Sequence, residues 1–366
     1  MDISDSNSVL DAFKAPWNDG RGDDVPITVF HSAANIRFWE RVKALLHLSN
    51  FVNVRGTQNI IDGCHNIGAD ILIYTSSASI TTRSNQFWML PWKKFPERFI
   101  QILDDDTPIP TEHELFFSNY AASKAYAERL VREADKSPIP RGRLLRTGCI
   151  RPGNGIYGPG GDILAGAYLV RKINHTWVRN IVQSFVYVEN CALAHLLYEQ
   201  RILEFAQYGS SATADISGQA FNITDPNPPV AFGDVYTTLT TLTETKFIDL
   251  PPVLMLSIAY LIEKYYLARM FSPFWSYILP KPNSDLAFLQ PSLFNLIQVH
   301  LIFDDSRARK APKEGGLGYD PPWTTMEGLC KLVIEWQKEG KREEERYVMG
   351  GQSSFAAGVE TGWVQK

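Results

Sequence analysis

The chain has 366 residues and 45% hydrophobic composition, enough to bury a full core and consistent with about two domains or one large domain with an added lobe. Its 36 basic and 40 acidic residues leave a formal charge of -4, without the basic excess of a nucleic-acid binder, so no nucleic-acid partner is expected. With 9 Trp, 15 Tyr and 20 Phe, a disordered chain is excluded.

Taken in chain order, MDISDSNSVLDAF has no basic or apolar leader region, so no signal peptide is expected. Pro26 to Ala34 (PITVFHSAA) predicts a short strand. A helical stretch is predicted from about Ile36 through Leu48 to Cys64. Asp70 to Thr75 (DILIYT) is a continuous apolar run suited to burial on both faces. A long loop through Asp104 to Asp106 leads to a helix from about Asn119 to Asp135, then a strand at Arg143 to Ile150 and a shorter one at Phe185 to Val188. This alternation predicts a parallel α/β sheet. Pro152 to Gly161 and Asp225 to Pro229 read as loops. Pro251 to Pro280 is rich in Leu, Tyr, Phe, Trp and Met at helical spacing, interrupted by Glu263, Lys264 and Arg269. Its uncharged run, Leu250 to Ile262, falls short of the roughly 18 apolar residues that span a bilayer. The charge run after Lys338 opens a flexible tail. Cys64, Cys149, Cys191 and Cys330 form no CxxC pair and the histidines show no ligand spacing, so neither disulfide nor metal site is expected and a reducing compartment fits.

The sharpest chemical feature is Tyr120-Ala121-Ala122-Ser123-Lys124. On a helix, residues four apart share a face, so Lys124 lies one turn from Tyr120. A free phenol, with a pKa near ~10, is a poor base at neutral pH. A neighbouring ammonium favours the phenolate and would draw that value down, and the same ammonium can donate to ribose hydroxyls. Alone, the pair also reads as an ordinary surface Tyr and Lys. Thr75-Ser76-Ser77, however, lies at the carboxyl end of the preceding strand, where ligands bind in open α/β sheets, and a hydroxyl there can hold a substrate oxygen. By itself that turn is a strand cap. Together, strand, hydroxyl cluster, loop and YxxxK on a helix point to a catalytic site. Gly153 to Gly158 is literally GxGxxG, but Pro159, Gly160 and Gly161 follow at once and no helix opens there, so it is not read as the pyrophosphate turn.

These segments resemble extended short-chain dehydrogenases/reductases, and within them the 3β-hydroxysteroid dehydrogenase and sterol-4α-carboxylate 3-dehydrogenase group. The likeness runs through VFHSAA (29–34), NVRGTQNI (53–60), YTSSAS (74–79), YAASK (120–124), CIRPGNGIYGPGG (149–161), SFVYVENCALAHLL (184–197) and GQAFNITD (218–225). It implies a Rossmann-like, doubly wound parallel sheet with a smaller, mostly helical substrate lobe. Residues 1–151, with about 184–200 and 218–225, would form the NAD(P)-binding part, 152–183 and 226–340 the substrate lobe, and 341–366 the tail. By position the catalytic residues would be Tyr120, Lys124, Ser77 and Asn53. NAD or NADP would meet Tyr120, Lys124, Asp2, Ile3, His31, Ala33, Ala34, Thr75 and Pro152, and the substrate would meet Ser77, Gly153 and Asn154.

The implied activity is oxidation of a secondary hydroxyl of a sterol, triterpenoid or related apolar compound, with decarboxylation where a carboxylate lies β to the new ketone. A ketone reductase would use the same residues in reverse. In the family a strand–GxxGxxG–helix unit comes first; DISD at 2–5 matches a later segment, so the register implies that about 65–70 residues of the family precede it. Either a shortened active enzyme or a remnant unable to bind dinucleotide results, and the presence of Tyr120, Lys124, Ser77 and Asn53 favours the first. The aromatic stretch at 250–280 reads as core or as a wall for a flat apolar substrate that also touches a membrane. The expected location is the cytoplasm or the cytosolic face of the endoplasmic reticulum.

Overall fold

A computed structural model describes residues 1–16, 25–89, 92–159, 162, 165–282 and 284–339; the tail at 341–366 and the glycines Gly160 and Gly161 lie outside the described residues. In chain order its main elements are α1 (Ser6–Phe13), β1 (Thr28–His31), α2 (Leu46–Asn53), α3 (Arg55–Ile67), β2 (Ile71–Thr75), β3 (Ile100–Leu103), α4 (Asn119–Glu133), β4 (Arg146–Pro152), α5 (Val188–Tyr208), β5 (Ala220–Ile223), α6 (Pro252–Phe271), β6 (His300–Phe303) and α7 (Thr325–Glu339). The apolar run of β2 is buried on both faces because helices cover both. Leu72 and Tyr74 pack with Ile60, Ile61, Ala127 and Val131 of α3 and α4. Ile71 and Ile73 pack on the other side with Ala194, Tyr198 and Ile202 of α5.

The central sheet runs β1-β2-β4-β5, every pairing parallel, with Ile71 opposite both Thr28 and Arg146. This is the Rossmann-like, doubly wound layout, and it brings the carboxyl ends of β2 and β4 side by side. Gly148 lets α5 lie close on β4: a Cβ there would stand 2.4 Å from the Tyr198 ring.

Three segments depart from the sequence reading. Residues 36–42 are not helical; helix starts only with a 3-10 turn at Lys43–Leu45, and Val54 separates α2 from α3. The reason is tertiary: Arg37 and Glu40 turn inward as a buried pair, both bonded to the Tyr266 hydroxyl of α6. The predicted strand at 185–188 shortens to Val186–Tyr187, which pairs with Ile156–Tyr157 outside the central sheet, and α5 begins at once. The loop before Asp104 holds β3, which pairs with β6 in a second four-stranded sheet completed by Val182–Gln183 and Val230–Ala231. The helical lobe therefore rests on a strand framework. It is joined to the sheet domain by a two-pronged ion pair from Arg41 to Glu263, 2.7 and 2.8 Å.

Candidate active site

Helix α4 begins cleanly because Ser118 caps it, its hydroxyl accepting the Ala121 N–H at 3.2 Å. From that fixed start, Tyr120, Lys124 and Glu128 follow at four-residue intervals on the face turned to the ends of β2 and β4. Lys124 is 1% exposed; its Nζ donates to the Thr75 carbonyl at 2.6 Å and lies 4.1 Å from the centre of the Tyr74 ring. Tyr120, Ser77 and Thr75 remain half-exposed, so they mark the open mouth of this otherwise buried row. Ser77 shares a hydrogen bond with the Ser79 hydroxyl, 2.8 Å, and is near enough to the Tyr120 phenol to shift its acidity.

Burial pushes the Tyr120 phenol up to about 12, with Ser77 drawing it back down. Lowering of this phenol by Lys124, expected from the four-residue spacing, is not found. The ammonium is turned to a backbone carbonyl, and burial pulls it down to about 7 against the opposing pull of the Glu128 carboxylate. The pair is thus a protonated phenol beside an amine poised near neutrality. Among the described residues Thr75 O is the one hydrogen-bond acceptor of that ammonium, leaving N–H donors for a bound polyol such as a ribose.

Asn53 is 1% exposed; its amide accepts from the Asn35 N–H at 2.7 Å and donates to the Asn35 carbonyl at 3.0 Å and the Ser123 hydroxyl at 2.9 Å. It therefore ties the segment after β1 to the residue beside Lys124. His31 does not reach toward a ligand with its ring. It is buried against Tyr74 and donates from Nε2 to the Thr57 hydroxyl at 3.0 Å, because that hydroxyl gives its own proton to the Asn53 carbonyl. Ala33 is exposed and Ala34 half-exposed just beyond it.

Of the remaining expected contacts, Thr75 is engaged twice, its hydroxyl donating to His195 Nε2 at 2.7 Å while Nδ1 of that ring donates to the Cys191 carbonyl. Pro152 ends β4 opposite Ile223. Gly153 leaves no room for a side chain, since a Cβ would stand 2.7 Å from the Ser184 carbonyl. Asn154 donates to the Gln183 side chain at 2.7 Å and the Leu296 carbonyl at 2.8 Å, which fixes the loop instead of offering the amide to a substrate. At the amino end, Asp2 accepts from the Ser4 N–H and hydroxyl, and Ile3 is buried over Gly56.

Sequence reasoning missed three residues here. Ser76, between the two expected hydroxyls, donates to Glu128 at 2.6 Å, and Arg151 grips the same carboxylate through Nε at 2.9 Å and Nη2 at 2.6 Å. The signal was present: Glu128 stands one turn beyond Lys124, and Arg151 is a charge inside a strand.

A profile of the 3-beta hydroxysteroid dehydrogenase/isomerase family matches residues 27–248. The 3beta-hydroxysteroid-dehydrogenase/decarboxylase isoform 1 of Arabidopsis thaliana is 30% identical over 290 residues, 77% of this chain and 56% of that protein. The decarboxylating sterol-4-alpha-carboxylate 3-dehydrogenase of Candida albicans is 33% identical over 182 residues, 48% of this chain and 44% of that protein. The chain thus spans about half the length of the curated relatives it matches. Among solved structures, a UDP-glucose 4-epimerase from Thermotoga maritima aligns with a TM-score of 0.56 at 16% identity, covering 93% of this chain and 84% of that one, a likeness of fold.

Proposed function

Because the chain belongs to the 3-beta hydroxysteroid dehydrogenase/isomerase family, we propose that it acts in an NAD(P)-dependent dehydrogenase that oxidises a 3β-type hydroxyl of a sterol, triterpenoid or related apolar compound. The observation that carries this reading is the row Ser77, Tyr120 and Lys124 at the carboxyl ends of β2 and β4. When bound, NAD or NADP supplies the hydride acceptor and a positively charged ring. Lys124, with N–H donors to spare, would hold the ribose hydroxyls; Ser77 would hold the substrate oxygen; Tyr120 would first release its own phenolic proton to water at the open mouth and then, as phenolate, take the hydroxyl proton at its phenolic oxygen. Asn53 supports the row by holding Ser123 and the Asn35 backbone. Where the substrate carries a carboxylate β to the new ketone, carbon dioxide leaves readily because the ketone takes up the enolate charge.

The apolar lobe supports a greasy substrate and peripheral contact with a membrane, on the cytosolic face of the endoplasmic reticulum. Phe274 (63% exposed) and Tyr277 (92%) face outward with Trp275 and Ile278 of the same short helix, and Leu261 of α6 is exposed as well. Among the described residues no helix is long and apolar enough to cross a bilayer. Thermal-shift titration with NAD and NADP tests the reading, since a ligand at 100 times its dissociation constant adds ~2.7 kcal/mol. A cofactor shift, with cofactor reduction on adding a 3β-hydroxysterol-4-carboxylate, is expected. No shift at millimolar cofactor would count against this reading.

A further inference from the structure

The Thr75-Ser76-Ser77 turn meets α4 at three successive levels. Ser77 faces Tyr120, the Thr75 carbonyl accepts from Lys124 at 2.6 Å, and the Ser76 hydroxyl donates to Glu128 at 2.6 Å. Glu128 is 1% exposed, and a carboxylate so deep persists only when its lone pairs are filled. They are: Arg151, equally buried, binds it with two parallel N–H groups, and Arg132 stands 3.7 Å away. Arg151 is itself anchored, through Nη1, to the Asp105 carbonyl at 3.2 Å. It directly precedes Pro152 and Gly153, so one ion pair touches the helix, the turn and the start of the loop beyond β4. The turn has a second tether, the Ser76 N–H on the Ile150 carbonyl at 2.7 Å.

Resting on the dehydrogenase reading above, we propose that Glu128, held by Arg151, is a positioning residue of this site: its carboxylate sets the hydroxyl turn against Tyr120 and Lys124 and places a negative charge one helical turn from Lys124. The groups around Lys124 make the electrostatic half of this concrete. On neighbouring strands stand His31, which is neutral, and Tyr74 and Cys149, whose acidities burial has suppressed; on its own helix are Tyr120, protonated, and Glu128. Glu128 stays ionised: burial raises its carboxyl, but Arg151, Ser76 and Arg132 together hold it below the usual range. It is therefore the standing anion near the lysine, and without it the amine loses its proton at lower pH.

A pair that only stabilised the fold would lower the melting temperature on substitution and leave the lysine alone. The experiment follows the Lys124 side chain by NMR in the full chain carrying labelled lysine, through a pH titration, in wild type, Glu128→Gln and Ser76→Ala. Glu128→Gln keeps the shape and removes the charge, and is expected to move the Lys124 midpoint down by about one unit or more. Ser76→Ala leaves the Glu128–Arg151 pair whole and cuts only the link to the turn. It is expected to speed hydrogen exchange at the position-76 amide and to lower kcat about tenfold at constant KM, a factor in line with loss of alignment. Should Glu128→Gln not fold, Ser76→Ala decides by itself. An unmoved Lys124 midpoint in folded Glu128→Gln, or wild-type exchange and kcat in Ser76→Ala, would overturn the assignment. A wild-type chain without dehydrogenase activity, but with the lysine shift intact in Glu128→Gln, would sink the dehydrogenase reading and leave Glu128 as the residue that sets the state of Lys124.

Discussion

Tyr120 carries the proton in the proposed reaction, so removing its oxygen should abolish turnover without disturbing the fold. Tyr120→Phe is expected to lower kcat by about 10²–10⁴-fold, with a thermal melt close to wild type, as checked by steady-state assay and calorimetry. Two buried bases make a second residue-scale prediction. His31 is pulled by burial, and then by Lys124, down to about 3, and burial pulls Lys124 to about 7. Between about 3 and the ordinary histidine value near ~6.5, the unfolded chain holds a proton on this imidazole that the folded chain does not, so stability should fall as pH falls through that window. Lys124 acts in the same sense higher up: from about 7 toward the free-lysine value near ~10.4, stability should rise with pH. Urea unfolding of wild type and His31→Gln between pH 4 and 7 should show a slope in the first that flattens in the second; equal slopes would count against a neutral buried His31.

At the scale of elements, the site depends on backbone held where side chains cannot fit. Gly153 follows β4 with its N–H on the Ile223 carbonyl, 2.9 Å, and an added Cβ would run into the Ser184 carbonyl, a backbone atom that cannot rotate aside. Gly153→Ala should therefore destabilise the chain by about 1–3 kcal/mol, measured by chemical denaturation, and should weaken substrate binding as the loop shifts. Gly68 illustrates a milder constraint: it ends α3 with φ +71°, a left-handed conformation that releases the chain into β2. The YxxxK spacing was legible in the sequence because a helix maps four residues onto one turn. The direction of the Lys124 ammonium was not, because it depends on the Thr75 carbonyl, 49 residues away in the chain.

Across the whole molecule, a lobe built on α6 sits against the sheet domain through Arg41–Glu263 and the Arg37–Glu40–Tyr266 cluster. These contacts turn Glu263, one of the charges that interrupt this apolar helix, inward and leave Val253, Leu254, Leu261 and Phe271 exposed. Phe274, Trp275 and Tyr277, exposed on the short helix that follows, add an aromatic patch of the kind that marks an interaction surface, and Trp and Tyr favour the water–lipid boundary. The membrane proposal predicts that full-length protein co-sediments with phospholipid vesicles, and that Phe274→Ser combined with Trp275→Ser and Tyr277→Ser lowers the bound fraction severalfold. Equal sedimentation of both proteins would remove it.

What the amino-acid order determined by itself was local and periodic: strand, hydroxyl turn, helix and tyrosine–lysine spacing, hence the layered α/β sheet and the row of Ser77, Tyr120 and Lys124 proposed as the site. Those properties follow from side-chain period and from short-range geometry, which a linear chain already contains. Tertiary structure decided the inward turn at Arg37, the short strands that frame the lobe, the engagement of Asn154 by the loop, and the weakened acidity of the Tyr120 phenol. Each of these rests on partners distant in sequence or on burial, and desolvation does not exist until the chain has folded around the group.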